Sequence, residues 1–275
     1  MVPLKVAPVF NAPLLLVERE LKVLVAADIH LGLEYEMWLC GVSIPSQMER
    51  LLERLKGYLK KIEPDRLVLL GDTKHNVPKT SWQEKQEVPS FLRSLSQEVE
   101  VDLVPGNHDG GLADLAPPGT RVMPSSGYIL DGVGYFHGHT WPAPALFNSD
   151  MLVAGHIHPA IRLRDPLGHS VTKPVWARTP LSAAAVEAQY RQKLPSPEMV
   201  IVPAFNHLCG GLPLNKPGED ERGPILIMAD LDMARIYLLD GTDLGSLGAI
   251  KARECQGHRP ENVNLQQMNH GSDEN

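Results

Sequence analysis

Every strong polar motif in this chain stands directly behind an apolar run of strand length. Lys22–Ala27 runs into Asp28-Ile29-His30, Arg66–Leu70 into Gly71-Asp72, and Val99–Val104 into Gly106-Asn107-His108-Asp109. Val133–His137 leads into Gly138-His139, and Met151–Ala154 into Gly155-His156-Ile157-His158. In open α/β sheets the loops at the carboxyl ends of the strands converge, and ligand sites gather there. Motifs far apart in sequence can therefore meet in one cleft.

The apolar runs alternate with amphipathic stretches in the order of βαβ units. Leu14–Val17 reads as a further early strand, set off from Lys22–Ala27 by Glu18-Arg19-Glu20. Ser46–Ile62 carries the clearest helical pattern. Met48, Leu51, Leu52, Leu55, Tyr58, Leu59 and Ile62 follow the three-four spacing of one buried face, Ser46 and Glu49 have the spacing of a capping box, and Pro64 closes the helix. Val88–Gln97 and Leu181–Lys193 read as further helices. Asp131-Gly132, between Tyr128–Leu130 and Val133–His137, is a two-residue hairpin signal. A second hairpin is expected at Asp165-Pro166-Leu167-Gly168, joining Ile161–Arg164 to Val171–Ala177, and Met199–Phe205 and Arg235–Leu239 read as late strands. No internal repeat or Ser/Gly linker divides residues 1–250, which read as a single domain. From Lys251 the chain is polar and aperiodic, so 251–275 is expected to be a disordered tail.

Composition narrows the class of function. With 43% hydrophobic and 21% charged residues the chain suits a soluble globular protein, and no apolar stretch reaches bilayer length. Met1–Phe10 lacks the features of a secretory signal, which points to the cytoplasm and to no membrane partner. Cys40, Cys209 and Cys255 are scattered, odd in number and without C-x-x-C spacing. Neither a disulfide framework nor a thiolate metal site is expected from them. A net charge of −7 argues against a protein that coats nucleic acid. Bound cations can still supply the positive charge with which an enzyme grips a phosphate locally.

The polar residues at the strand ends are Asp28, His30, Asp72, Asn107, His108, His137, His139, His156 and His158. Counting His75, seven of the chain's eleven histidines lie in or beside these motifs. Imidazole mixed with carboxylate suits Mn, Fe, Zn and related divalent ions, whereas Ca and Mg sites are usually all oxygen. Asp28 and His30 are two apart, which on an extended strand end points both side chains the same way, and His156 and His158 repeat the spacing. A carboxylate at Asp72 can bridge two ions. Two cations about 3.5–4 Å apart clamp a phosphate, lower the pKa of a shared water and offset charge on the leaving oxygen. Asn107 is neutral and can bind a cation through its carbonyl without cancelling the charge that holds substrate. His108 can then face the phosphate as acid or charge stabiliser.

In their order along the chain, these five motifs resemble the calcineurin-like metallophosphoesterases over roughly residues 22 to 160. Asp28-Ile29-His30-Leu31-Gly32, Ile44-Pro45-Ser46-Gln47, Gly71-Asp72-Thr73-Lys74-His75, and Pro203-Ala204-Phe205 with Gly210-Gly211 are similar to the SbcD-related phosphoesterases described mainly from archaea. The resemblance implies an α/β fold, a four-layer α/β/β/α sandwich with two central mixed sheets. It implies one metal held by Asp28, His30, Asp72 and His158, and a second by Asp72, Asn107, His137 and His156. His108 would be the catalytic histidine that holds no metal, with His139 near the phosphate or behind a ligand. Mn is the leading metal, and Fe, Ni and Zn accept the same donors. The expected reaction is phosphodiester hydrolysis by in-line attack of a metal-bridging hydroxide, with DNA the most interesting substrate. A small-nucleotide phosphodiesterase or a phosphomonoesterase is the alternative within the class. A metal-stabilised interaction module without turnover is the alternative from another class, and His108 speaks against it.

The neighbouring residues divide by context. Asp109 is read as structural, holding its turn or a ligand histidine, with a direct catalytic role as the alternative. Lys74 and His75 are divided between solvated loop and substrate contact. Trp38 and Trp141 are expected to pack under loops, with base stacking as the alternative. Arg162, Arg164 and Arg178 read as exposed strand residues, and His207 as a feature of the fold.

Overall fold

The two halves of the chain build two separate sheets. A computed structural model describes residues 2–165, 167–216 and 223–256. Among these, β1 (Lys5–Pro8), β2 (Leu14–Glu18), β3 (Lys22–Ala26), β4 (Arg66–Leu70), β5 (Glu100–Val104) and β6 (Thr120–Val122) lie side by side in chain order. β1 to β3 are antiparallel and β3 to β6 parallel. The second sheet contains β7 (Tyr128–Leu130), β8 (Val133–Phe136), β9 (Met151–Ala154), β10 (Pro159–Arg164), β11 (Ser170–Thr179) and β12 (Glu198–Ile201). It is completed by β13 (Leu212–Pro213), β14 (Arg235–Leu238) and β15 (Asp243–Ser246). Parallel pairing of β8, β9 and β12 makes its centre, and antiparallel strands flank it. The motif-bearing strands β3, β4 and β5 are adjacent in one sheet, and β8 and β9 are adjacent in the other.

The four layers follow from the period-two alternation of strand side chains. On β3, Leu24 and Ala26 face a core shared with α2 (Met48–Ile62) and α3 (Trp82–Ser96), through Leu51, Leu55, Phe91 and Leu95. Their neighbours Val23 and Val25 face the other way, into the core between the sheets with Val133, Tyr135, Val153, Trp176 and Val200. On the far side, Leu152, Ala154, Ala177 and Ile236 pack against α5 (Ala183–Tyr190), α6 (Pro224–Met228) and α7 (Leu247–Gln256). Two shorter helices, α1 (Leu33–Leu39) and α4 (Leu112–Leu115), lie in the loops after β3 and β5. Strands buried on both faces read as continuous apolar runs, and each fully buried Leu or Val contributes roughly 1.5–3 kcal/mol. The expected α/β/β/α arrangement of two mixed sheets is thus observed. No described helix is long and apolar enough to cross a membrane.

Local expectations fared unevenly. Asp131 and Gly132 both adopt positive φ (49° and 77°) in the β7–β8 hairpin, as its two-residue turn requires. The β10–β11 hairpin also forms, with Arg164 opposite Ser170, while Pro166 of its turn lies outside the described residues. The capping box at Ser46 and Glu49 does not form. Gln47 takes the cap position because its N–H donates to the buried Glu34 carboxylate (2.7 Å), leaving Ser46 one residue outside to accept from the Met48 N–H. A capping box occurs instead at Ser81 and Glu84, so α3 starts at Trp82, well before the expected Val88. Pro89 inside α3 interrupts the sequence pattern without ending the helix. α5 is shorter than Leu181–Lys193, starting behind a Ser182 cap and stopping at Arg191 in the left-handed region. α7, anchored by buried Leu247, continues past Lys251 to Gln256, and the rest of the expected tail, 257–275, lies outside the described residues.

Candidate metal centre

Backbone conformation marks the site. Among the described residues nine non-glycine residues have positive φ, and five of them are Asp28 (57°), His30 (47°), Asp72 (50°), His156 (70°) and His158 (43°). Left-handed backbone at such residues costs about 1–3 kcal/mol each and persists only where the surroundings enforce it. Here the loops enforce it on one another. The Asp28 N–H donates to Gly71 O (3.1 Å) and the His30 N–H to Asp72 O (2.8 Å). Across the sheets, the His156 N–H donates to the Asp28 carboxylate (3.2 Å). Two glycines permit the close approach: a Cβ on Gly71 would lie 2.0 Å from His137 Nδ1, and one on Gly106 would lie 2.1 Å from Asp72 Oδ1.

The side chains converge on Asp72. Its Oδ2 lies 3.3 Å from His137 Nε2 and 3.6 Å from His30 Nε2. Asp28 Oδ1 lies 3.2 Å from His158 Nε2 and 3.8 Å from His137 Nδ1. Two donor groups share Asp72: Asp28, His30 and Asp72 form one, and Asp72, His137 and His156 the other, with ligand atoms within 4.8 Å of one another in each.

The ring nitrogens suit cations. His137 Nδ1 is 2.9 Å from Leu70 O, and His158 Nδ1 is 2.9 Å from Gly210 O. A carbonyl can only accept, so each Nδ1 carries a proton and Nε2 is the nitrogen left to face a cation, which is how partners behind a ligand histidine fix its tautomer. His30 Nδ1 is similarly engaged, 2.9 Å from His75 Nδ1. Nε2 of His30 and Nε2 of His137 are buried without a hydrogen-bond partner. Buried polar atoms are seldom left unpaired, so two such atoms facing a carboxylate fit a divalent cation.

Electrostatics agree. Burial opposes ionisation of Asp72, but His137, His30 and the His108 N–H outweigh it and hold the carboxyl well below its usual range. Burial likewise opposes ionisation of Asp28, and His158 and His137 outweigh it. Burial pushes His30 down to about 3 and His156 down to about 4, so both rings are neutral donors at pH 7. Burial also disfavours a charge on His137, yet Asp72 and Asp28 outweigh it and raise its pKa. A cation has to displace that proton, as metal binding to histidine generally does.

The remaining candidates separate. The His108 N–H donates to Asp72 Oδ1 (2.9 Å) and its Nδ1 to His75 O, while its ring stacks on that of His75 at 5.1 Å. The buried Asp109 carboxylate accepts from the N–H groups of Gly106, Thr73 and Lys74, tying the Asn107 loop to the Asp72 loop, in keeping with a structural role. Lys74 is fully buried, not in a solvated loop, with Nζ donating to Asn76 O (2.7 Å), because the loop folds back over it. His75 bridges inward to His30 and outward to Glu36. His139 is half-buried, 5.4 Å from the His137 ring, and its Nδ1 has no partner. Asn107 is exposed, and among the described residues its side chain makes no hydrogen bond to the cluster. Arg178 pairs with Glu198, and His207 is exposed. Trp141 packs against Tyr190. Trp38 instead stands 59% exposed, stacked on Tyr35, because α1 lies on the surface.

Sequence reasoning passed over two neighbours of the cluster. Glu36 pairs with His75 and has no motif of its own. Cys209, set aside for want of C-x-x-C spacing, lies with its sulfur and one nitrogen each of His30 and His158 within 4.8 Å of one another. Its place just before Gly210-Gly211, in a segment already singled out, was the available signal.

Residues 21–153 match the family model described as calcineurin-like phosphoesterase. No curated protein matches the chain. Among solved structures, the nuclease MPE of Pseudomonas putida is similar, with 20% identity and a TM-score of 0.52 over 87% of this chain and all of that one. The E. coli phosphoesterase Yfce is a more distant likeness, with 15% identity and a TM-score of 0.38 over 81% of this chain and 96% of that one. At these identities the structural likeness speaks for the fold alone.

Proposed function

We propose that this chain, a hydrolase acting on ester bonds whose residues 21–153 match the calcineurin-like phosphoesterase family, cleaves phosphodiesters at a binuclear centre shared through Asp72. The observation that carries this reading is the membership of Asp72 in both donor groups. Asp28, His30 and His158 would complete one site. His137 and His156, with the side-chain carbonyl of Asn107 turned toward them, would complete the other. Bound there, two divalent ions supply Lewis-acid clamping of the phosphate and activation of water.

The chain's own groups then hold and move protons. His108 Nδ1–H donates a hydrogen bond to the His75 carbonyl, which orients the ring, and a proton carried on Nε2 would pass from there to the departing oxygen. The His108 N–H fixes the orientation of Asp72, and Asp109 fixes the loop that carries His108. His139, beside His137 and His156, stands where it can hold a phosphate oxygen.

DNA is the substrate we favour. The motifs similar to SbcD-related phosphoesterases support it, as does the exposed Tyr35–Trp38 stack on the helix that follows His30, since aromatic faces take up unpaired bases. The three continuous cores support reading residues 1–250 as one domain. Unpaired Cys40 and Cys209 suit the cytoplasm.

The test is hydrolysis by metal-stripped protein reloaded with Mn²⁺ or Zn²⁺. Substrates are bis-p-nitrophenyl phosphate, its monoester, and labelled single- and double-stranded DNA, with Asp72→Asn as the blank. Cleavage of diester and DNA is expected. Cleavage of small esters alone would remove DNA from the proposal, and no metal-dependent cleavage would remove the binuclear mechanism.

A further inference from the structure

The segment from Pro203 to Gly211 is stitched to both sides of one metal site, and the reaction described so far leaves it unused. On one side Phe205 N–H donates to Ala27 O (2.8 Å), Asn206 N–H to Asp28 O (3.3 Å), and Asn206 Nδ2 to Ile29 O (3.0 Å). On the other, Gly210 O accepts from His158 Nδ1 (2.9 Å), and Leu212 N–H donates to His158 O (2.9 Å). Between them Asn206 folds a tight turn, accepting the Leu208 N–H on Oδ1 (3.0 Å) and the Cys209 N–H on its carbonyl (3.1 Å). Cys209, half-buried and in no disulfide, is thereby held beside His30 and His158. The ring nitrogen of His30 that His75 leaves free is buried and unpartnered, and His30 itself is only 3% exposed.

We propose that Cys209 is a further metal donor alongside Asp28, His30 and His158, giving that site a preference for a thiophilic cation such as Zn²⁺ over Mn²⁺. The inference rests on the reading that Asp28, His30 and His158 hold an ion. A thiolate with imidazoles selects Zn and its neighbours, whereas carboxylate and water suit Mn. A thiol that coordinates a cation is deprotonated outright. The S–H proton passes to solvent, the sulfur electron pair goes to the cation, and nothing is oxidised.

Cobalt reads the donor set directly. Full-length protein stripped of metal and loaded with Co²⁺ alone is expected to show the near-ultraviolet sulfur-to-cobalt charge-transfer band together with visible d–d bands. Cys40→Ser should retain both, and Cys209→Ser should retain the visible bands and lose the ultraviolet one. In chelator competition Cys209→Ser should lose at least about tenfold in Zn²⁺ affinity, with Mn²⁺ affinity changed by less than about twofold. Should Cys209→Ser fail to fold, wild-type protein still decides: Co²⁺ should protect one thiol from alkylation, mapped to Cys209 by mass spectrometry. Visible bands without the sulfur band or the protection would overturn the role of Cys209 and leave the metal site standing. Wild-type protein that binds no cobalt would overturn the metal site itself, and this inference with it.

Discussion

Asp72 and His108 divide the work of the site, and single substitutions separate them. Asp72 faces His30 and His137 at 3.6 and 3.3 Å, so Asp72→Asn removes the charge common to both donor groups. Metal content should fall at both sites and turnover should vanish; full metal content with normal turnover would refute the shared role. His108 touches Asp72 through its backbone, not its ring. His108→Ala should therefore keep its metal while kcat falls by about 10²–10⁴-fold, the usual worth of a positioned general acid. Loss of metal in that variant would make His108 a ligand. Burial of Lys74 beneath its own loop could not be read from its place two residues beyond Asp72, because only the folded loop covers it.

At the scale of elements, helix α3 holds the loop behind the centre. Glu84 is buried and accepts from the N–H groups of His75, Asn76 and Ser81, closing the capping box while pinning the residue that backs His30. Burial opposes its ionisation, but the Asn76 and Ser81 donors outweigh that and hold its pKa below the ordinary 4.5. A carboxylate with a depressed folded-state pKa stabilises the fold above its unfolded pKa, and the contribution is lost as pH falls through the folded value. Glu84→Gln should therefore lower stability at pH 7 and flatten the acid limb of a stability-versus-pH profile below about pH 4.5. An unchanged acid limb would show that Glu84 is not the group responsible. Ser81→Ala removes the hydroxyl that caps the helix and also donates to Glu84, and should cost about 1 kcal/mol in urea denaturation.

At the scale of the molecule, the site exists only because two sheets are held in fixed relation. Asp28 and Asp72 come from the first sheet, and His137, His156 and His158 from the second. At one edge the sheets are joined through the fully buried Asp102 on β5, which pairs with Arg66 and Arg121 and accepts from Tyr128 Oη on β7 at 2.8 Å. Removing one partner of a buried pair leaves the other uncompensated, at a cost of about 3–5 kcal/mol. Arg121 is half exposed, so Asp102→Ala should fall near the lower end, about 3 kcal/mol, in urea denaturation. A loss below about 1 kcal/mol would mean that apolar packing alone fixes the sheets.

How much of this was legible beforehand depends on whether the information is local. Strand runs, the Asp131-Gly132 turn and the polar motifs at strand ends are properties of short segments, and the two-sheet architecture was implied only by the family resemblance those motifs carry. Period-two alternation does not show on strands buried on both faces, so the sequence named the strands but not which side chains face which layer. The cap at Ser46 failed because Glu34, distant in sequence, captured the neighbouring Gln47 N–H. Composition and order thus determined the set of ligand types and their sequence along the chain. Which of them share Asp72, and that Cys209 stands beside His30 and His158, were decided by tertiary structure, because hydrogen bonds between loops far apart in the chain place those atoms within a few ångströms.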